Sequence, residues 1–413
     1  MIDINSLIKP ISIFKRSRLG RDLVLFLGAQ AYYRLASIVI LVVLSRRVSE
    51  MDIGIFFFAL SIAEMLSVII TLSVDPVTVR QIAAEQEKAG IHFSDLLGIR
   101  LVSGPLYLLC LGSIALFIGG RVGFVVFITA LFTLFDHYYF TFGSLFIALR
   151  KIIYNVSIGV SVQTLFIAVF LWAMFVLPSL NTLLAVYLFR SVCLVTAALF
   201  VTTICIGRPS ISLNLSLLRK GFPFLLLTLL TILQFQLDTL LLKLFTDYET
   251  VGHYNLASRI IFASFFIPGS LGSVFYQRLA ADRLTSSNRR SLVQITTILI
   301  VIGFLMMTAV YILAEPLTHL MYGQISESIS PLLRPLSLLF PLNFTGLFLV
   351  YVLQALHKEK ETLNALIIST LAGLILNLVL LPLIGVYGAV ISRISAALLH
   401  TGFTLWLVKR LLH

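Results

Sequence analysis

Twelve apolar runs, each long enough to cross a bilayer, restrict this 413-residue chain to the architecture of a polytopic membrane protein. A spanning helix needs about 20 predominantly apolar residues. The runs lie at 22–45, 53–79, 96–119, 122–149, 152–177, 181–206, 221–245, 251–277, 291–314, 331–356, 362–382 and 386–408. We expect α-helices throughout, because lipid offers the backbone no hydrogen-bonding partner and the runs lack the alternation of barrel strands.

Charge distribution predicts the orientation of these spans. Charged residues make up 12% of the chain and the net charge is +12. In a soluble protein this excess would indicate nucleic acid, but here most Lys and Arg fall in loops on one side, which predicts no nucleic-acid partner. The loops on the other side carry Arg46, Arg47, Arg121 and Arg334. By the positive-inside rule, both termini are predicted to be cytoplasmic.

An internal repeat divides the chain in two. One shift along the sequence places Gly54 on Gly252, Phe56 on Tyr254 and Arg80 on Arg278 without a gap. We interpret this as two homologous halves that each open with the same helical hairpin. The predicted organisation is an N-terminal lobe at 1–206, which includes a cytoplasmic arm, a cytoplasmic linker at 207–220 and a C-terminal lobe at 221–413.

Several charged residues lie inside the predicted spans, where each costs about 2.5–3.5 kcal/mol and usually faces a cavity or a partner. The basic ones are Arg34, Arg190, Arg259 and Arg393. The acidic ones, together with an adjacent histidine, are Glu64, Asp75, Asp136, His137 and Asp238. We interpret the arginines as the lining of a cationic cavity, because a planar guanidinium can bond two phosphate oxygens at once. The alternative is that the charges pair with each other and hold helices together.

The acidic residues admit more than one role. Asp75 lies one and a half turns before Arg80, which predicts a local ion pair. Asp136 and His137 form either a proton-coupling site or a polar patch. Asp238 has no basic residue one turn away and is a candidate for ion coupling or gating. Pro268-Gly269 is a candidate hinge. Prolines inside the predicted spans can each bend their helix, namely Pro105, Pro223, Pro268, Pro341 and Pro382.

Enzyme and ATPase signatures are absent from the sequence. It contains no GxxxxGK[ST] phosphate loop and no HExxH or other metal-ligand spacing. The predicted loops are short, whereas a membrane enzyme that acts on a polar substrate usually needs a site at the water boundary. We therefore expect no catalytic residues, no metal and no cofactor, apart from coupling to H⁺ or Na⁺.

The repeated hairpin resembles that of a known family. The segments concerned are Asp52-Ile53-Gly54-Ile55-Phe56-Phe57-Phe58-Ala59, Val251-Gly252-His253-Tyr254-Asn255-Leu256-Ala257-Ser258-Arg259 and Gly385-Val386-Tyr387-Gly388-Ala389. Together with Asp238, they resemble polysaccharide exporters of the MOP superfamily, and within it the Wzx-type flippases of O-antigen repeat units.

This resemblance implies an all-α protein with twelve transmembrane helices in two six-helix lobes, arranged in a V as in MATE transporters. It implies alternating access and a substrate that is an oligosaccharide linked to undecaprenyl pyrophosphate. The partners would be this lipid-linked oligosaccharide, membrane lipids, and the polysaccharide polymerase and chain-length machinery. The location would be the bacterial inner membrane, and the basic cavity residues would be Arg34 and Arg259 first.

Two other functions compete with the flippase. An ion-coupled exporter of cationic drugs, from the MATE branch of the same fold, would need an acidic cavity, for which Asp238, Glu64 and Asp136 are available. A membrane enzyme such as an O-antigen polymerase or ligase would be expected to carry a large outer loop, which the sequence does not contain.

Overall fold

The computed structural model describes residues 18–282 and 286–412, and this part of the chain is almost entirely helical without any strand. The helices of the first half are α1 Arg18–Arg47, α2 Glu50–Leu66, α3 Val68–Thr71, α4 Asp75–Ala84, α5 Ala89–Ile118, α6 Gly120–Ala148, α7 Ile152–Val176 and α8 Leu180–Ile206. Those of the second half are α9 Ser216–Phe245, α10 Tyr248–Ala263, α11 Phe266–Asp282, α12 Ser286–Ile312, α13 Ala314–Tyr322, α14 Ser326–Leu336, α15 Leu339–Ala355, α16 Glu359–Ile384 and α17 Val386–Leu412.

Eleven helical segments of the described chain are long and apolar enough to span a membrane, and a bent pair brings the number to as many as twelve. The bent pair joins Ala314–Leu336 to Leu339–Ala355 at 51°. The predicted tenth span is therefore broken. Pro331 and Pro335 lie inside α14 and Pro341 lies in the first turn of α15, and each removes a backbone donor around the bend. The predicted all-α fold class is confirmed.

The second predicted span is also not a single helix. It breaks after α2, and Leu72 and Ser73 adopt left-handed backbone conformations with φ of 42° and 51°. Arg100 of α5 holds the break, since its guanidinium bonds both the carbonyl oxygen of Ile70 and the carboxylate of Asp75. The predicted local pair between Asp75 and Arg80 is therefore wrong, because the broken helix turns Asp75 toward α5.

The eighth span breaks between α10 and α11, at Ser264 and Phe265. Pro268 follows this break by one turn, and its ring excludes the carbonyl of the residue four positions earlier, Ser264. The helical pattern of hydrogen bonds resumes at Gly269, whose N–H donates to Phe265 O at 3.2 Å. The predicted bend at Pro268-Gly269 therefore lies one turn earlier than the proline itself.

Helices α2 and α10, which carry the repeated hairpin sequence, pack against each other where the two halves meet. Their first turns are in contact, and His253 Nε2 of α10 lies 2.6 Å from Glu50 Oε2 of α2. Away from that end, α9 of the second half packs on α2 and α4. Ser61 Oγ donates to Gln236 Oε1 at 2.9 Å and Ser73 Oγ donates to Thr228 Oγ1 at 2.9 Å.

The segment 207–215 between α8 and α9 lies along α5. Asp95 of α5 accepts hydrogen bonds from Ser212 and, at 3.0 Å, from Asn214 Nδ2. Ser94 and Ser210 share a hydroxyl contact of 2.9 Å. These polar contacts hold the segment 207–215 against the first half as far as Asn214, two residues before α9 begins.

Candidate functional site

Two of the four predicted cavity arginines form no ion pair within the described chain. Arg34 of α1 and Arg259 of α10 make no ion pair or hydrogen bond with any other residue among 18–282 and 286–412. The guanidinium carbon of Arg259 lies 5.3 Å from the centre of the Phe57 ring, and its charge is within electrostatic range of Arg34 and Glu64. Since a guanidinium carries five N–H donors, this leaves two arginines, one from each half, with unused binding capacity.

Arg34 also lines a pocket of about 370 Å³ between α1, α6, α7 and α8, which we call the N-terminal pocket. Its walls are largely polar and aromatic. Its other lining residues include Gln30, Tyr33, Ser37, Asp136, Tyr139, Phe140, Asn155, Gln163, Phe166, Tyr187 and Arg190. With two arginines and one aspartate, this pocket has a net positive charge.

Arg190, which lines the same pocket, is paired. Its Nη1 lies 3.2 Å from Asp136 Oδ2, while Ser191 Oγ donates to Asp136 Oδ1 at 2.7 Å. Its guanidinium also lies 5.5 Å from the Phe166 ring centre. The carboxylate therefore offsets the charge of Arg190 and leaves that of Arg34 in excess.

Arg393 of α17 is the most enclosed of the four, and it is part of a buried network. Its Nη1 donates to Asp238 Oδ2 at 2.7 Å, and the same oxygen accepts from Tyr254 Oη at 2.9 Å. Asn377 Nδ2 donates to Asp238 Oδ1 at 2.9 Å. Asp238 is 5% and Arg393 8% exposed. Four helices, α9, α10, α16 and α17, are thus joined around one neutralised ion pair.

This ion pair lines a second pocket of about 170 Å³, between α9, α15, α16 and α17, which we call the C-terminal pocket. The helices that form it occupy the same positions in the second half as those of the N-terminal pocket do in the first. Uncharged polar side chains line it, among them Gln234, Asn343, Gln354, Thr370 and His400. The two halves therefore enclose equivalent pockets of different charge.

The other predicted site residues, Glu64, His137 and Asp75, do not all lie together. Glu64 is 38% exposed and its Oε2 lies 3.8 Å from His137 Nε2, so these two side chains are neighbours in the first half. Asp75 lies with Arg100 at the helix break and does not line either pocket.

Sequence reasoning missed Arg100 and Asn377 as functional partners. Arg100 lies within the predicted third span, at 96–119, and is 1% exposed in the structure. The signal that could have found it was its position four residues inside an apolar run. Asn377 gave no comparable signal, because its role depends on contact with Asp238, 139 residues away.

Solved structures of a flippase and of transporters have folds similar to that of this chain. An inward closed conformation of the lipid II flippase MurJ matches with a TM-score of 0.74 and 15% identity, over 94% of this chain and 87% of that one. An inward-facing multidrug resistance MATE transporter of the MOP superfamily matches with a TM-score of 0.68 and 14% identity, over 91% of this chain and 94% of that one.

A third similar structure is a MOP superfamily transporter from Pyrococcus furiosus, described as having a binding pocket of reverse polarity (TM-score 0.64, 16% identity, 95% of each chain covered). At these identities the matches show the fold alone. No curated protein matches the chain significantly in sequence.

The family itself is shown by sequence. The model of a family described as polysaccharide biosynthesis protein matches residues 19–276, which is more than half of the chain. The solved structures with this fold that are described above are a flippase and two transporters. The chain belongs to the polysaccharide biosynthesis protein family and is a multi-pass membrane protein with the fold of the MOP superfamily transporters.

Proposed function

We propose that the chain is a flippase for oligosaccharide repeat units linked to undecaprenyl pyrophosphate, in the synthesis of O-antigen or a related surface polysaccharide. The observation that supports this most is the pair of unpartnered guanidiniums, Arg34 and Arg259, on helices from opposite halves. A diphosphate and its sugars cannot cross hydrocarbon unaided. Guanidinium groups can replace the water around the phosphate oxygens, while the prenyl tail stays in the bilayer.

The route we propose is alternating access between the two lobes, 1–206 and 221–413. Repeats that enclose a site near the middle of the membrane are a common plan of transporters. With both termini in the cytoplasm of a bacterial cell, the contact between α2 and α10 lies at the outer end of the bundle. The substrate would then enter from the inner leaflet and leave toward the outer leaflet once this contact opens.

The main competitor is a MATE-like exporter of organic cations, and the charge balance counts against it. Of the acidic residues that such an exporter would use, Asp238 pairs with Arg393 and Asp136 pairs with Arg190. Glu64 remains, but Arg259 and Arg34 oppose it with two positive charges. An anionic headgroup suits this arrangement better than a cation does.

We also propose that transport is coupled to H⁺, with Glu64 and His137 as the groups that exchange it. Their side chains lie 3.8 Å apart and Glu64 is 38% exposed, so a proton can reach them. Each charge that crosses the membrane supplies about 2.3 kcal/mol per 100 mV. Uptake of protons during flipping in proteoliposomes, and its loss in Glu64→Gln, would support this coupling over Na⁺.

The test of the proposed function uses deletion of the gene and complementation. The deletion strain should accumulate lipid-linked repeat units, identified by mass, and lose surface glycan. Arg34→Ala and Arg259→Ala should fail to restore export while reaching the membrane at normal levels. Arg334→Ala is the matched control, because that arginine is 44% exposed on α14 and pairs with Glu315 at a distance of 3.4 Å. Full export by both Arg34→Ala and Arg259→Ala would contradict the proposal.

A further inference from the structure

The C-terminal pocket is enclosed by one half of the protein alone. Its walls come from α9, α15, α16 and α17, and it extends from Gln354 and Thr362, near the turn between α15 and α16, to Asp238. Its volume is about 170 Å³, which is below the range of about 300–1,000 Å³ that is usual for drug-sized ligands. The space therefore suits a single ring or a similarly small group, and not a whole oligosaccharide.

The lining of this pocket has unused hydrogen-bonding groups. The carboxamides of Gln234, Asn343 and Gln354 bond no other side chain or backbone group in the described chain. Thr370 Oγ1 is buried and likewise has no partner there. Thr370 is buried, where polar groups are almost always hydrogen-bonded. The three carboxamides are half-buried, and each offers two donors and an acceptor. This set of unsatisfied groups is what a guest rich in hydroxyls would complete.

The pocket offers no net charge to such a guest. Asp238 and Arg393 neutralise each other at 2.7 Å, and Tyr254 and Asn377 occupy further positions around the carboxylate. An anion would find the guanidinium already bound, and a cation would find the carboxylate already bound. The N-terminal pocket differs, because Arg34 leaves it with a positive charge.

We propose that the C-terminal pocket binds one neutral sugar ring of the substrate through Gln234, Asn343 and Gln354, while Arg34 and Arg259 bind the diphosphate. This inference rests on the proposed function and adds a site for sugar selection to it. A site built to bond hydroxyls discriminates strongly against a ligand that lacks them, because its own polar groups are then left unpaired. The chain therefore selects glycosylated lipid over bare lipid diphosphate.

The test measures binding of two probes to the intact protein by native mass spectrometry. The probes are undecaprenyl diphosphate and the same lipid carrying one N-acetylglucosamine. We expect the wild-type protein to bind the glycosylated lipid about tenfold more tightly, which corresponds to one or two net hydrogen bonds. Gln234→Leu and Asn343→Leu should remove this preference and leave the affinity for the bare diphosphate unchanged, which also reports correct folding.

The matched control is Gln294→Leu, which replaces an exposed carboxamide on α12 and should keep the preference. Equal binding of the two lipids by the wild-type protein would overturn the inference and leave the proposed function standing. A similar loss of affinity for both lipids in the pocket variants would also overturn the inference, since the pocket would then have a structural role. Binding of neither lipid by the wild-type protein would refute the proposed function, and the inference with it.

Discussion

Gly54 of α2 and Gly252 of α10 lie against each other where the two halves meet. A Cβ atom on Gly252 would stand 3.2 Å from the backbone nitrogen of Gly54, and one on Gly54 would stand 1.6 Å from the carbonyl oxygen of Tyr248. Real Cβ atoms essentially never approach another atom to 1.6 Å, and a contact of 3.2 Å is tighter than most. The first turns of the two helices can therefore approach this closely because both positions are glycine.

Replacing Gly54 with alanine should hold this end of the bundle apart. We expect Gly54→Ala to lengthen the distance between spin labels at Met51 and Glu249, which flank the contact, and to reduce export strongly. Gly252→Ala should change the label distance and export less, because the atom nearest to the new Cβ, the carbonyl oxygen of Glu50, would be 3.1 Å away. The measurement is double electron–electron resonance on protein whose native cysteines have been replaced.

Gly402→Ala is the control for this experiment, since a Cβ there meets nothing within 4 Å. It should change neither the label distance nor export. An unchanged distance in Gly54→Ala, accompanied by normal export, would show that the glycine contact does not determine closure.

The ion pair between Asp238 and Arg393 predicts that single substitutions lower the stability of the protein strongly, whereas a double substitution lowers it little. Asp238→Asn should lower the melting temperature markedly, because removing one partner of a buried pair costs about 3–5 kcal/mol. Asp238→Leu combined with Arg393→Met should recover most of the loss, since no unpaired charge remains. Thermal unfolding in detergent provides the measurement, and additive losses in the double variant would contradict the pairing.

The start of α10 predicts a pH-dependent contribution to stability. Asp247 caps this helix by accepting a hydrogen bond from the backbone N–H of Thr250 at 2.8 Å, and this bond lowers the pKa of the carboxyl group. Because the pKa is lower in the folded protein, the stabilisation is present above the unfolded value of about 3.9 and is lost as the pH falls through the folded value. Asp247→Ala should cost about 1 kcal/mol at pH 7 and progressively less below pH 4.

Ser179 provides the comparison for this prediction. It caps α8 through a bond from Thr182 N–H to Ser179 Oγ at 3.2 Å, and a hydroxyl does not titrate. Ser179→Ala should therefore lower the melting temperature by a similar amount at pH 7 and at pH 3.5. If Asp247→Ala shows the same pH independence, its cap does not depend on the carboxylate charge.

Arg100 predicts that the helix break after α2 depends on one side chain. Arg100→Leu should destabilise the protein, because it leaves Asp75 without its cation and Thr141 without the donor that lies 2.9 Å from its hydroxyl. Asp75→Asn should cost less, since Arg100 keeps its bonds to Thr141 and to the carbonyl of Ile70. Equal melting temperatures for the two variants would contradict this order.

Most of the fold followed from the sequence because bilayer thickness sets the length of each apolar run. The repeat also identified Gly54 and Gly252 as equivalent positions. It did not indicate that they touch, since an alignment carries no distances. The bend at 337–338 lies close to Pro341, a candidate bend in the sequence. The break at Leu72 was not predicted, although Asp75 and Pro76 follow it closely.

Of the candidate site, the sequence could identify the charges but not their partners. Asp238 was visible as a carboxylate in an apolar run, yet its pairing with Arg393 spans 155 residues and depends on how α9 and α17 pack. Arg34 and Arg259 look the same as Arg190 in sequence. They differ in three dimensions because Asp136 and Ser191 lie beside Arg190, and no carboxylate among the described residues forms an ion pair with the other two.

The contact of Gly54 with Gly252 has a consequence for the ancestry of such a chain. In a dimer of two identical half-length proteins, a single glycine would meet its own copy across the dyad, and one mutation would alter both sides of the seam. Joining the halves into one polypeptide frees each position to change separately. The much closer packing around Gly54 than around Gly252 is an asymmetry that two identical half-length chains could not show under exact twofold symmetry.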